Sequence, residues 1–330
     1  MKNIMFCSVG RRGELMKIFR KEFEGKGTIV AVDNSNVAPA LYIAEKQYIV
    51  PKINDKNYIP IILEICKKEK ISGITTLIDP EISLLAQNKQ ELLNNNIIFL
   101  GSSYEVAELC FNKYKTYQFL KKNGFNYVKT YDSIEKFKLA YHSGEIEFPV
   151  FIKPINGSGS VGIKKINTFN ELMSSMEHKN NFIIQEYMDG TEYDADIYVD
   201  IISGELVSAF TKKKLSTRIG GADKTISYKD KKLFDLIDEL VQKLGLIGPA
   251  DIDFFKKNGE YYISEINPRF GGAYLHAYAC GINFPELILN NINGTPNNRQ
   301  IGNFEENIVM MMYDSVVIKK AKDLILNSRS

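Results

Sequence analysis

The chain has 330 residues, 44% of them hydrophobic, and its 42 basic and 40 acidic side chains leave a formal charge of +2. That length can bury one large core or two to three modest ones, and so balanced a charge gives no electrostatic case for nucleic acid as a partner. Cys7, Cys66, Cys110 and Cys280 stand singly, with no Cys-x-x-Cys and no histidine at ligand spacing, which argues against zinc and for buried thiols in a reducing compartment. No run approaches the ~20 apolar residues that span a bilayer. The apolar patch at the N-terminus is too short for a signal peptide. A cytoplasmic protein with no membrane partner is expected.

Residues 1–100 alternate strand and helix patterns. NIMFCSV, TIVAVD, ISGITTLI and IIFLG read as strands, while GELMKIFRKEF, YIPIILEICKKEK and ISLLAQNKQELLNNN read as helices. This spacing predicts a doubly wound parallel sheet, a Rossmann-like N-terminal domain over 1–100. Ligands bind such sheets beyond the carboxyl ends of the strands. Two loops lie there, one with Arg11 and Arg12 between Gly10 and Gly13, the other with Asp79 and Glu81. The arginines suit an anionic substrate or a plain solvated turn, and the acids suit a substrate contact or a helix N-cap.

Residues 101–330 form the second expected domain, of α/β (α+β) class. CFNKYKTYQFLKKNGF is helical with Lys113 near its start. A small lid of mixed helices and strands is expected over about 125–185. Within it FPVFIKPINGSGSVGIKK delivers Lys153 from an apolar strand, followed by Ser158, Gly159, Ser160 and Gly162. Such a turn lets backbone N–H groups cradle phosphate beside an ammonium; an ordinary glycine-rich hairpin with a solvated lysine fits the same residues. NFIIQEYM is a strand leading out of the lid, and EYDADIYVDIISGELVSAFTKK is a hairpin turning at Ser203-Gly204. Residues 211–225 read as a basic loop over the site carrying Arg218 and Gly220-Gly221. KDKKLFDLIDELVQKLG is an amphipathic helix with a C-cap at Gly245. ADIDFF and EYYISEI pair across a turn at Asn258-Gly259, and Asn-Pro-Arg follows.

This ordered set of lysine, lysine with a Gly/Ser loop, Gln-Glu-Tyr-Met with a later Glu, and Asp followed by Glu-x-Asn-Pro-Arg resembles the ATP-grasp superfamily over residues 100–300. The Glu-Ile-Asn-Pro-Arg ending resembles the carbamoyl-phosphate synthetase and biotin carboxylase branch, in a single copy. The resemblance implies an N-terminal pre-ATP-grasp domain followed by an ATP-grasp fold with a small mobile lid. It implies that Lys113 and Lys153 hold the phosphates of ATP, with the Ser158–Gly162 loop closing over them. Gln185, the Glu186 carbonyl, Tyr187 and the Met188 N–H would frame the adenine, and Glu192 would take the ribose hydroxyls. Residues i and i+2 of a strand share a face, so Glu265 and Asn267 project together opposite Asp253. Two carboxylates and an amide oxygen suit Mg²⁺, or Mn²⁺ with the same oxygen donors. Arg269 matches the arginine that stabilises charge on the transferring group. Arg218 is a further catalytic candidate.

The reaction so implied is an ADP-forming, ATP-dependent ligation of a small-molecule carboxylate to an amine through an acyl phosphate. A bicarbonate-activating enzyme like carbamoyl-phosphate synthetase, or a non-catalytic ATP-binding subunit, are the alternatives. Arg11, Asp79 and Glu81 are placed as substrate contacts. Tyr274 and His276 are positioned to face the acceptor, Asp194 and Asp196 are read as a solvated strand face, and His142 and His178 as surface residues. Relatives of the family are commonly dimers, and a homodimer is compatible with the chain.

Overall fold

The structure is a computed structural model and describes residues 1–157, 162–176, 181–218 and 221–325. The N-terminal part runs β1 (Asn3–Cys7), α1 (Gly13–Glu22), β2 (Ile29–Asp33), β3 (Lys46–Ile49), α2 (Tyr58–Glu69), β4 (Ile71–Thr76), α3 (Asp79–Gln87), α4 (Lys89–Asn94) and β5 (Ile98–Phe99). Its five strands are all parallel in the order β3-β2-β1-β4-β5. Both faces of a parallel sheet must be covered. Accordingly Ile4, Phe6, Ile29 and Ala31 join one apolar cluster while Met5, Cys7, Val30 and Val32 join another on the opposite side. Helix α3 begins at Asp79, just past β4, so the carboxyl ends of the strands carry the 8–13 and 79–81 segments as the alternation predicts.

Two helices then lead outward, α5 (Tyr104–Phe111) and α6 (Lys113–Lys122). The Asn112 side chain caps α6 by accepting from the N–H groups of Tyr114 (3.1 Å) and Lys115 (2.9 Å), which fixes Lys113 as its first residue. A smaller layer follows, with β6 (Thr130–Tyr131), α7 (Ile134–His142), β7 (Val150–Pro154), β8 (Lys164–Ile166), α8 (Phe169–Met176) and β9 (Phe182–Glu186). Its antiparallel order is β6-β9-β7-β8. Val150 and Ile152 face the helices with Phe137 and Leu172; alternation therefore turns Phe151 and Lys153 to the other side.

The remainder is β10 (Thr191–Val199), β11 (Leu206–Arg218), β12 (Gly221–Ser227), α9 (Lys231–Leu244), β13 (Gly248–Lys257), β14 (Glu260–Asn267), α10 (Tyr274–Ala279), α11 (Phe284–Ile292), β15 (Gln300–Ile301) and β16 (Val309–Met311). The main path of this sheet is β14-β13-β10-β11-β12-β16, with β15 parallel to β11. One face is apolar: Tyr193, Ala195, Ile197, Ile252, Phe254 and Ile266 pack on Leu233, Ile237, Leu240 and Val241 of α9. Gly245 closes α9 at φ +75°, and Asn258 and Gly259 turn the β13–β14 hairpin with φ of +52° and +80°. These are the left-handed values that a two-residue hairpin requires. Among the described residues no helix is long and apolar enough to cross a membrane.

Residues 211–225 correct the sequence reading. They are strand arms, β11 through Arg218 and β12 from Gly221, rather than a loop, with Gly220 outside the described residues. The lysine run hid the alternation. Lys212 and Lys214 point to one face, where carboxylates of β10 and β13 meet them.

Candidate active site

The polar face of the large sheet builds the site. Cross-strand register aligns Lys212, Asp194, Asp253 and Glu265 in one row, and Asp196, Asp251 and Asn267 in the next. Alternation brings these residues to one side of four adjacent strands, a crowding of charge that no single strand reveals.

At one end the charges are sealed. Asp194, Asp196 and Asp251 are buried, with carboxylate oxygens within 4.8 Å of one another. The wholly buried Lys212 ammonium donates to Asp194 Oδ1 at 2.9 Å and to Asp196. Asp194 and Asp196 are therefore not the solvated face that their sequence suggests. Burial raises the Asp196 carboxyl to about 6 and the Asp251 carboxyl well above its usual range; Lys212 and Lys214 overcome burial at Asp194 and lower it. With a lysine already seated among them, these acids are a self-neutralised cluster rather than a metal centre.

Toward the small sheet the same face opens. Glu265 is in register with Asp253, whose Oδ1 accepts from Lys214. Glu192 lies 3.7 Å from the same ammonium and is the most exposed of these acids, at 44%. Lys113 reaches within 3.8 Å of Glu265 Oε1 and donates to the Gly157 carbonyl. A cation on the first residue of a helix opposes the helix dipole, so the position of Lys113 serves something other than helix stability. Burial raises the Glu265 carboxyl, partly offset by Lys113.

Lys153 enters from β7 and donates to Gln185 Oε1 at 2.6 Å, while Gln185 Nε2 donates to Thr130 at 3.0 Å. Burial lowers the Lys153 ammonium and Glu265 acts against that shift. A buried ammonium whose direct hydrogen-bond partner is a neutral amide can still accept an anion. At Glu186 the ladder opens: its N–H donates to the Lys129 carbonyl at 2.9 Å, but the Lys129 N–H turns to the Glu186 carboxylate at 3.3 Å. Tyr187 lies 5.6 Å from Phe151, Lys165 stands 3.9 Å over the Tyr187 ring, and Met188 is buried. Gly162 has φ +77°. Ser158, Gly159, Ser160 and His178 lie outside the described residues.

After β14 the chain turns sharply at Pro268, with the Arg269 N–H on the Asn267 carbonyl at 2.7 Å. The Arg269 guanidinium donates to Asn267 Oδ1 at 3.1 Å and pairs with Asp79 Oδ1 at 3.0 Å. Asp79 Oδ2 is buried and has no hydrogen-bond partner among the described residues. Asp79 thus ties the N-terminal sheet to this corner. Glu81 does not: it is wholly buried, accepting from Tyr58 and Thr76, and burial raises its carboxyl. Its role is internal, contrary to the sequence expectation.

Arg12, passed over in favour of Arg11, bridges to the loop after Arg269. It donates to Phe270 O at 3.0 Å and Gly271 O at 2.8 Å, and burial together with Arg269 pushes its guanidinium down to about 10. Arg11 is exposed on the rim of a 370 Å³ cavity that Arg12, Arg218, Gly271 and Gly272 also line. Tyr274 lines the same cavity but turns its hydroxyl away from it, and His276 is buried and does not line it. The Tyr274 hydroxyl donates to Ile282 O at 3.0 Å, and buried His276 meets Thr225 at 2.7 Å with burial and Lys212 lowering it to about 4.

Family models match residues 4–100 as a PylC-like N-terminal domain and residues 110–273 as an ATP-grasp domain. The carbamoyl phosphate synthase large chain of Thermoanaerobacter sp. (strain X514) is 23% identical over 236 residues, covering 63% of this chain. The chain spans only 20% of that relative's length. An uncharacterized protein of Methanocaldococcus jannaschii is 31% identical over 183 residues, 54% of this chain and 46% of that protein. Among solved structures, the biotin carboxylase domain of the Hydrogenobacter thermophilus 2-oxoglutarate carboxylase superposes with a TM-score of 0.74 at 16% identity. The match covers 93% of this chain and 73% of that one, which was solved as a dimer with magnesium ADP, ADP and bicarbonate.

Proposed function

Because the chain belongs to the ATP-grasp superfamily, with a PylC-like N-terminal domain, we propose that it is an ATP-dependent ligase joining a carboxylate to an amine with release of ADP and phosphate. The observation that carries this reading is the meeting of Lys113, Lys153, Asp253, Glu265, Asn267 and Arg269 where the open end of the polar face meets the small sheet. Lys113 and Lys153 hold the phosphates. The opened ladder at Glu186 and the Met188 N–H receive the adenine edge beside Gln185 and Tyr187, and Glu192 takes the ribose. Asp253, Glu265 and Asn267 supply two carboxylates and an amide oxygen, a donor set that fits Mg²⁺ or Mn²⁺. When bound, the cation offsets phosphate charge beside the two lysines.

The protein's share is positioning and charge neutralisation. A carboxylate oxygen of the first substrate bonds to the γ-phosphorus as the bond to the β-phosphate oxygen breaks, and ADP leaves. Arg269, kept cationic by Asp79, stabilises the charge that develops there. The amine nitrogen then bonds to the acyl carbon and phosphate departs, carrying off the proton that the nitrogen gives up.

Lys153→Met is expected to weaken ATP binding by about 1.5–3 kcal/mol, the size of a hydrogen bond to a charged group; unchanged affinity by calorimetry would remove Lys153 from the site. With acceptor screens, ADP is the expected nucleotide product and hydroxylamine should trap the acyl phosphate as a hydroxamate. Stoichiometric AMP sinks the mechanism. Slow ADP release without any organic acid points instead to bicarbonate.

A further inference from the structure

The 370 Å³ cavity beside Gly271 and Gly272 is walled on its outer side by the segment that follows β16. That segment is held at its two ends. The Met312 N–H donates to Asp223 O at 3.0 Å; at the far end the Ile325 N–H donates to the Tyr42 hydroxyl at 3.3 Å and Asn36 donates to Ile325 O at 3.4 Å. Between these anchors Tyr313, Val316 and Ile318 are 89%, 77% and 84% exposed, so the intervening chain is not packed into a core. Among the described residues its one ion pair with the sheet is a fork: Arg218 Nη1 and Nη2 donate to the two Asp314 oxygens at 3.1 and 3.3 Å.

We propose that Arg218 is a subsite for a carboxylate group of the acceptor substrate, and that Asp314 fills it in the ligand-free protein. The two-pronged geometry is the one by which arginine recognises a planar carboxylate. Arg218 and Asp314 keep 55% and 65% of their side-chain surface exposed, so the pair contributes little to stability and exchanges easily for another carboxylate. The balance of charge in the cavity favours that exchange. Glu14 is engaged by Lys17 at 2.7 Å. With Asp314 displaced, Asp223 is the acid left beside Arg218 among the described lining residues, and the exposed Arg11 adds a second guanidinium, while Arg12 is already directed to the Phe270 and Gly271 carbonyls and the buried acids. A carboxylate held there lies along the wall that leads to Gly271, two residues from Arg269. As an acceptor contact the subsite presupposes the ligase reading above, whereas carboxylate binding is measurable without nucleotide.

The test is equilibrium dialysis of labelled succinate against the full chain, without ATP and at constant ionic strength. Asp314→Ala should bind succinate on the order of fivefold more tightly than the unmodified chain, the equivalent of an exposed ion pair removed from competition. Arg218→Ala should lose the binding, Arg218→Lys should retain part of it, and the double variant should match Arg218→Ala. Equal affinity in Asp314→Ala and the unmodified chain, binding that survives Arg218→Ala, or no millimolar binding in any variant would each overturn the assignment. Arg218 and Asp314 are both exposed, and unchanged thermal midpoints of every variant verify folding. Lys153→Met should keep succinate binding while binding nucleotide more weakly, so failure of the subsite and failure of the ligase reading are read separately.

Discussion

The two ends of the large sheet's polar face carry the same residue types to opposite effect. At the sealed end Asp194, Asp196 and Asp251 surround Lys212, and Arg12 closes over them from the N-terminal part. At the open end Asp253 and Glu265 stand opposite Lys113 and Lys214 at the mouth of a cleft, their side chains 24% and 32% exposed. Buried charge must find its counter-charge within the protein, because the cost of leaving it alone is several kcal/mol. Charge at a cleft can leave part of its neutralisation to a ligand. Acidity therefore does not distinguish the two ends; access to the cleft, and so to a cation from outside the protein, does.

The sharpest way to break that contrast is Lys212→Met. The substitution keeps the length of the stem but leaves Asp194 and Asp196 buried without their cation. A destabilisation of about 3–5 kcal/mol is expected, read by urea unfolding. A loss under 1 kcal/mol would mean that water reaches the cluster and that the sealed end is not sealed. Gly271→Ala tests the same cluster from above. A Cβ there would stand 2.6 Å from Asp251 Oδ1 and 2.7 Å from Asp196 Oδ1, so the loop that receives Arg12 must lift. The expected cost is about 1–3 kcal/mol, as for overpacking elsewhere, accompanied by weaker docking of the N-terminal part.

How far the sequence carries depends on the range of the contact. The parallel sheet, α9 with its Gly245 cap, and the opposition of Asp253 to Glu265 across Asn258-Gly259 follow from periodicity and turn chemistry within about twenty residues. Lys113 at the start of α6 is equally local, fixed by Asn112. Alternation also assigns Asp194, Asp196 and Lys212 to one face, but it cannot say whether that face is covered. The cover is supplied by Arg12, whose partners at Phe270 and Gly271 lie more than 250 residues away. The inward orientation of Glu81 is hidden for the same reason: its partner Tyr58 sits on another helix, and a carboxylate after a strand reads identically whether it points outward or inward. The bend that brings Arg269 onto Asp79 has a local signal in Asn-Pro-Arg, while the Asp79 end of the pair has none.

At the open end the smallest and most diagnostic effect is expected from Glu265→Gln. Burial holds the Glu265 carboxyl above its ordinary value of 4.5, so ionising it opposes folding as long as no external cation is bound. The amide removes that opposition and gives up only the 3.8 Å approach of Lys113. In chelator the variant should therefore be as stable as the unmodified chain, or more stable by up to about 1 kcal/mol. The sign fixes the pH dependence. An acid whose folded value is raised favours the folded state fully below its unfolded value and loses that contribution as pH rises through the folded one. The advantage of the glutamine variant should then be present at neutral pH and close as pH falls toward 4.5. Adding Mg²⁺ with nucleotide should reverse the order, because the unmodified chain gains a cation that the amide binds poorly. Thermal melts at pH 7 and pH 4.5, each with and without Mg²⁺ and ATP, check all three. A glutamine variant less stable than the unmodified chain in chelator at neutral pH would show Glu265 to be neutralised from within the protein, as Asp194 is, and the contrast between the two ends would fail.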